Sequence, residues 1–484
     1  MPNLSPEFIE DMRALLGPET DAFLRALDAP AALALRVHRR GEAAMPFIAG
    51  AVPWAEGGFY LRPETRPGTS IAHWAGAFYL QEASAMLPAA VLAARPGERV
   101  LDLCAAPGGK ASQIARAMDG EGALVANEVD PARARVLAGN LERLGVCNAV
   151  VTCEKPDRLA AKWPGFFDAV LVDAPCSGEG MFRRDLDARK QWSAAAPAGC
   201  QKRQADILDA AARLVRPGGR LVYSTCTFNA FENEESVRDF LCRHPDFSPW
   251  DFEMPGLGAS EGGMLRIWPQ RVRGDGQFAA RLRRAGGETE DTPIRIAERE
   301  RGAQLTTPCT ARFAEDSWKK GARARRGARC PQAGKGERAA TSAEDGRALV
   351  EALHDTVLRS LPPAVLRARM RLLGDRLFAV PALAPDMDGL RVVSPGTALL
   401  RVGKNRVEPE HALAMALCPE QALRAAALDE AEARAFLAGE ALPRAGEAGW
   451  TLATYDGLAL GWGKQADGTL KNHLPKGLRK TLRA

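Results

Sequence analysis

RVLDLCAAPGGK, residues 99–110, runs from a compact apolar stretch into a loop of small residues and on into a helix-forming run. RVLDLCAA reads as a buried strand, and PGGKASQIARAM as the loop and helix that follow it. Glycine at such a loop lets the backbone approach a ligand closely, and the free N–H groups of a helix start favour an anionic group. The spacing is neither G-x-x-x-x-G-K-[ST] nor G-x-G-x-x-G, so a P-loop ATPase is disfavoured. Taken alone, the loop is equally a tight turn or a nucleotide site.

The same unit recurs outward from this stretch. GALVANEV (122–129) reads as a second strand, and a helix from Pro131 to Gly145 carries Leu137, Leu141 and Leu144 on one face. Pro131 suits a first helical position. NAVVTCE (148–154) is a third strand and FDAVLVDAP (167–175) a fourth. A helix over about 198–215 stops at Arg216-Pro217-Gly218-Gly219, and RLVYSTC (220–226) is a fifth strand. This alternation predicts an α/β, Rossmann-like fold: a parallel sheet with helices on both faces.

Four pieces converge on the carboxyl edge of that sheet, where ligands of such folds sit. The first is the loop Cys104, Ala105, Ala106, Pro107, Gly108, Gly109, Lys110. The second is Glu128, about 20 residues on, where an acid commonly binds ribose hydroxyls; Arg133 follows on the next helix. Glu128 could equally serve the helix dipole, since Asp130 and Pro131 follow it. The third is Asp173-Ala174-Pro175-Cys176, and the fourth Ser224-Thr225-Cys226. A lone cysteine at a strand end is commonly a small buried hydrophobe. Two of them, on the edge that carries Asp173 and the glycine loop, point to a nucleophile.

The rest of the chain bounds the reading. With 484 residues, two or three domains are expected. Hydrophobic residues are 46% and charged residues 26%, and no apolar run is long enough for a membrane span. MPNLSPEFIEDMRALLG is acidic and amphipathic, unlike a secretory signal, so a cytoplasmic location is expected. The ten cysteines form no C-x-x-C pair, so neither a disulfide framework nor a metal site is expected. Sixty-five basic against 60 acidic residues is a mild bias; its distribution matters more.

The organisation expected is an N-terminal domain over 1–95, a catalytic domain over 96–285, a basic flexible linker over 286–345, and a small C-terminal domain over 346–484. Near the start, Phe8, Ile9, Met12, Leu15 and Leu16 form a helical pattern, ALALRVHRR (32–40) a strand, and a helix is expected from Gln81 to Pro96. The linker includes WKKGARARRGARC (318–330), and the chain ends in KNHLPKGLRKTLRA. These basic stretches, with Arg36, Arg39 and Arg40, are candidates for phosphate contact, which confers affinity rather than sequence choice.

LDLCAAPGGK, NEVD, DAPCSGEGMFRRD and YSTCTFNAFENE, in that order, resemble the Nol/Nop/Sun family of RNA cytosine-5 methyltransferases. HWAGAFYLQEASAM (73–86) resembles that family's segment before the catalytic core. WTLATYDGLALGWGK and LKNHLPKG resemble the PUA-like RNA-binding end of its bacterial branch acting on small-subunit rRNA. The resemblance implies S-adenosylmethionine as methyl donor. Residues 104–110 would hold its methionine end, Glu128 with Arg133 its ribose side, and Glu154 or Asp157 its adenosine side, where the usual Asp-Gly is missing. Asp173 would face the target base, Cys226 would attack carbon 6 of cytosine, and Cys176 would assist release. DNA cytosine methyltransferases attack with the cysteine of the PC motif instead, so the assignment is a choice between two residues. Cys226 needs a positive or hydrogen-bonding environment, for which Lys110, Arg183, Arg184 and Lys190 are candidates. The partner implied is RNA, rRNA before tRNA, acted on by a monomer away from membranes. A non-catalytic RNA-binding factor leaves the retained cysteines and Asp173 unexplained, and a methyltransferase for proteins or small molecules leaves the basic C-terminal region so.

Overall fold

In the computed structural model, residues 4–38, 41–287, 343–403 and 406–480 are described. Arg39, Arg40, the basic stretch 318–330 and all but the ends of the expected linker lie outside the described residues.

The alternating unit builds one central sheet. Five parallel strands, Val215–Thr225, Phe167–Asp173, Arg99–Asp102, Ala123–Asn127 and Ala149–Thr152, lie side by side in that order. Their side chains are buried on both faces, which is why these segments read as continuous apolar runs rather than alternating ones. Strand order reverses at Arg99–Asp102: the chain moves first to Ala123–Asn127 on one side and later to Phe167–Asp173 on the other. A crevice therefore opens beyond Asp102, at the topological switch point. Gln277–Arg284 extends the sheet antiparallel to Val215–Thr225. Val392–Ser394, from within the stretch expected as the C-terminal domain, adds antiparallel to Ala149–Thr152 at the other side.

Two elements differ from expectation. The helix expected from Gln81 is a short turn at Ser84–Met86 followed by a helix only over Leu87–Leu92. Pro88 sits in its first turn, the one place where a missing N–H costs nothing, so the helix cannot extend back through it. The fifth strand begins at Val215 rather than Arg220. Val215 already pairs with Phe167, and the Pro-Gly-Gly run is absorbed as an irregularity in register.

Before the central sheet, Pro6–Leu16 and Thr20–Asp28 pack Phe8 and Phe23 against Phe182, Trp192, Phe228 and Trp268 of the central-sheet unit. A four-stranded antiparallel sheet follows, built from Ala34–Val37, Ile48–Ala51, Gly58–Leu61 and Phe78–Leu80. Arg36 of its strand is fully buried, so it does not face phosphate as expected. It hydrogen-bonds Gln81 Oε1 (3.2 Å), Gly109 O (3.3 Å) and Ser112 Oγ (2.6 Å), and burial lowers its guanidinium to about 9. After residue 343 come two further sheets: four strands over Arg369–Pro409 and five over Ala425–Asn472. The second shares a core with the N-terminal sheet, Phe436 and Leu460 packing with Leu35, Phe59 and Phe78.

Candidate active site

The loop after Arg99–Asp102 is held open by its neighbours. Asn127 reaches across two strand ends: its Nδ2 donates to Leu103 O and Glu154 O, and its Oδ1 accepts from Glu154 N and Thr152 Oγ1. Asn140 Nδ2 donates to Pro107 O at 2.9 Å. Gly108 has φ of +112°, where side chains are disfavoured, and a Cβ there would meet Leu137 at 3.2 Å. The helix Gly109–Ala117 then starts with its amides toward the crevice end of the sheet. Glu128 is 3% exposed; its Oε1 accepts from Asp130 N (3.0 Å), and its Oε2 lies 3.2 Å from Arg133 Nη1. Arg133 also donates to Ala106 O at 3.0 Å, which joins this acid to the loop.

Asp102 is a residue that the sequence reading passed over. It is fully buried, and among the described residues neither carboxylate oxygen has a hydrogen-bond donor within bonding geometry. Burial, and then the neighbouring Asp173, push its carboxyl up to about 8, against the opposing pull of Lys110 and the Cys104 backbone. An unpartnered acid under a glycine-rich loop and helix start, with Glu128 on the next strand end, fits a ligand with both cationic and hydroxyl groups. S-adenosylmethionine carries both. Burial first, then the acids Asp102, Asp173 and Glu128, raise the Cys104 thiol, which keeps it neutral.

Glu154 and Asp157 part company. Glu154 is buried, its Oε1 accepting from Arg391 N at 2.7 Å and lying 3.4 Å from Arg158 Nη1. Asp157 sits on the outer surface, paired with Arg213 at 2.5 Å. Of the two, only Glu154 is at the strand-end edge.

Asp173 is held from three sides. Lys110 Nζ is 2.7 Å from its Oδ2, while Ser224 Oγ (2.7 Å) and Gln277 Nε2 (3.3 Å) donate to its Oδ1. Burial works to lower the Lys110 ammonium, but the charges of Asp173, Cys226 and Asp102 outweigh it and raise it. Lys110 thus stands where its charge is felt at both Asp173 and Cys226. Arg183 and Arg184 do not: both turn to Asp275 and to the N-terminal carbonyls of Ala26 and Ala32. Lys190 is exposed and paired with Asp187.

The two cysteines come together. Cys176 Sγ and Cys226 Sγ are 3.3 Å apart. The Cys176 thiol is held well above the usual range, first by its hydrogen bond to Cys226, then by burial and by the charges of Cys226 and Glu232. Two buried glutamates tie the loops that carry them. Glu179, three residues after Cys176, accepts from Phe228 N, Asn229 N, Asn229 Nδ2 and Trp192 Nε1. Glu232, six residues after Cys226, accepts from Ser177 N, Gln204 Nε2 and Asn229 Nδ2. Gly180 N donates to Cys226 O at 2.7 Å. Neither glutamate was singled out from sequence; acids in glycine- and asparagine-rich loops read as solvated.

Comparison with known proteins agrees along nearly all the described chain. Residues 89–283 match the 16S rRNA methyltransferase RsmB/F family. Residues 4–83 match the N-terminal domain of 16S rRNA methyltransferase RsmF, 357–417 its first C-terminal domain, and 424–480 its PUA domain. The chain is 37% identical over 302 residues to ribosomal RNA small subunit methyltransferase F of Serratia proteamaculans, covering 58% of this chain and 63% of that one. Against the Cronobacter sakazakii protein of the same name it is 36% identical over 334 residues, covering 64% and 69%. The match thus spans less than two thirds of the Serratia protein. The solved structure of PH0851 is 29% identical, with a TM-score of 0.54 over 57% of this chain and 65% of that one. NSun6 of Pyrococcus horikoshii, solved with SFG, is 20% identical with a TM-score of 0.51 over 59% of this chain and 99% of that one, a likeness of fold alone. On its sequence and its fold, the chain belongs to the 16S rRNA methyltransferase RsmB/F family.

Proposed function

We propose that this protein transfers a methyl group from S-adenosylmethionine to carbon 5 of a cytidine in RNA, through a covalent bond between Cys226 and cytosine carbon 6. The names of its relatives, ribosomal RNA small subunit methyltransferase F, support small-subunit rRNA as the substrate. The observation that carries the reading is the pair of thiols 3.3 Å apart beside the Lys110–Asp173 ion pair. A methyltransferase acting on oxygen or nitrogen needs no thiol, whereas carbon 5 of cytosine is too weak a nucleophile to take a methyl group unaided.

S-adenosylmethionine, when bound, supplies an electrophilic methyl group. Residues 104–110 with Asp102 would hold its methionine end, Glu128 with Arg133 its ribose, and Glu154 would border the adenosine side. The Cys226 thiolate adds to carbon 6, and the ring electrons move to carbon 5, which forms the new carbon–carbon bond. Asp173 meets the N3 edge of the base. A proton that the Asp173 carboxyl carries when the base is bound passes to N3 as electron density builds there and returns to the carboxylate as the sulfur leaves; Lys110, Ser224 and Gln277 have oriented that group in advance. A water molecule or hydroxide takes the carbon 5 proton, the C–H electrons return to the ring, and the sulfur–carbon bond breaks to give back the Cys226 thiolate. Cys176, protonated and touching Cys226, donates a hydrogen bond to the departing sulfur. The base must leave its stack to reach these groups.

The Cys176→Ala protein, incubated with S-adenosylmethionine and undermethylated small-subunit rRNA, is expected to carry RNA on a denaturing gel. The band is expected to vanish when Cys226 is also replaced. An adduct that persists without Cys226 reverses the two roles. No adduct and no methylation by the unaltered protein, on rRNA or tRNA, overturns the reading.

A further inference from the structure

The two thiols are chemically identical, yet the proposed reaction asks one to attack and the other to stay protonated. Their surroundings are not symmetrical. Lys110 lies on the Cys226 side, close enough for the charge of one to act on the other. On the Cys176 side stands Glu232. Its Oε2 accepts from the amide of Ser177, the residue after Cys176, at 3.0 Å. Glu232 is fully buried, and among the described residues no cation pairs with it. Among the described residues its oxygens are held by neutral donors, including Ser177 N, Gln204 Nε2 at 2.7 Å and Asn229 Nδ2 at 2.8 Å. A buried carboxylate without a counter-ion acts on its neighbours through a weak dielectric, so its charge is felt strongly. Burial raises the Glu232 carboxyl, and the bonds from Ser177, Asn229 and Gln204 oppose that rise.

We infer that Glu232 is a positioning residue that assigns the roles of the two thiols: its charge keeps the proton on Cys176, and leaves Cys226, on the side of Lys110, as the thiolate. The inference deepens the proposed reaction and rests on it for its purpose, but the charge asymmetry exists without RNA or methyl donor. The groups facing Cys176 are Cys226, Glu232 and Tyr223, and Glu232 is faced in turn by Cys200. The Tyr223 phenol is held neutral by burial first, and Glu232 adds to burial in raising the Cys200 thiol. Glu232 is thus the carboxylate of this group that stands on the Cys176 side.

The test reads thiol reactivity in the full-length protein. Cys226→Ala and Cys226→Ala/Glu232→Gln are alkylated with iodoacetamide across pH 6–10, and the rate at Cys176 is followed by peptide mass spectrometry. Removing the charge is expected to move the midpoint down by about one pH unit, and so to raise the rate at pH 8 roughly tenfold. Glu232→Asp, which keeps the charge, is expected to hold the midpoint high. An unchanged midpoint in folded Glu232→Gln overturns the inference. Should that variant fail to fold, Cys226→Ala/Glu232→Asn is read in the same way, and an unchanged Cys176 midpoint in that protein overturns the inference. No RNA is present, so failure here is separable from failure of the adduct experiment.

Discussion

Cys176 and Cys226 lie 50 positions apart in the chain and 3.3 Å apart in space. A disulfide needs the sulfurs at about 2.05 Å, a closure within reach of side-chain rotation. Diamide takes two electrons and two protons from a thiol pair and becomes a hydrazine. Treated with it, the protein is expected to form a Cys176–Cys226 disulfide, seen by peptide mass spectrometry and undone by dithiothreitol. Free alkylation of both residues after treatment would contradict the contact. Asp173 was legible as an acid at the ligand edge of the sheet because a buried strand ending in an acid is unusual. Asp102 ends its strand in the same way and was missed, because the eye is drawn to the glycines behind it. Glu179 and Glu232 carry no such mark. A buried acid and a solvated one are the same letter, and only the donors gathered around them from other segments distinguish the two.

Strands and loops place these side chains to fractions of an ångström. Gly180 shows how little room is left between the two cysteine loops. A Cβ there would lie 2.6 Å from Cys226 O, on backbone that cannot swing aside, and the Gly180 N–H is what bonds that carbonyl. Gly180→Ala is expected to keep the fold, as read by circular dichroism, and to lose roughly a hundredfold in single-turnover methylation, the scale of a misplacement of about 1 Å. Activity within threefold of the unaltered protein would mean that the loops can part without consequence. The alternation of strands and helices was readable because buried parallel strands are apolar on both faces. The expected helix from Gln81 was not. Its apolar residues are buried against the central sheet and the helix Gly109–Ala117, and Pro88 confines the helical part to Leu87–Leu92.

Among the described residues, the segments before and after the central sheet pack against it and against each other. Val392–Ser394 covers the edge of Ala149–Thr152, and Arg391 N satisfies Glu154 beside it. The N-terminal sheet shares its core with the last sheet, and Lys480 lies over Trp74 at 5.0 Å. Among the described residues no helix is long and apolar enough to cross a membrane. A fragment ending at residue 287 would bare a sheet edge and one face of the N-terminal core at once. It is expected to self-associate in size-exclusion chromatography and to melt well below the full chain. A monomeric fragment of unchanged melting temperature would show that the later sheets are ornaments to the catalytic unit rather than part of it.

The succession of strands and helices along the chain, the glycine loop, and the placing of Asp173 and both cysteines at one sheet edge were determined by the sequence alone, because local pattern and strand ends are properties of contiguous residues. Tertiary structure alone decided that the thiols touch, that Lys110 rather than Arg183 or Arg184 stands by Asp173, that Arg36 is buried, and that Glu154 rather than Asp157 lies at the strand-end edge. Each of these depends on segments tens to hundreds of residues apart meeting across a packed core, where burial and the choice of partner set the chemistry of a side chain that its neighbours in sequence do not reveal.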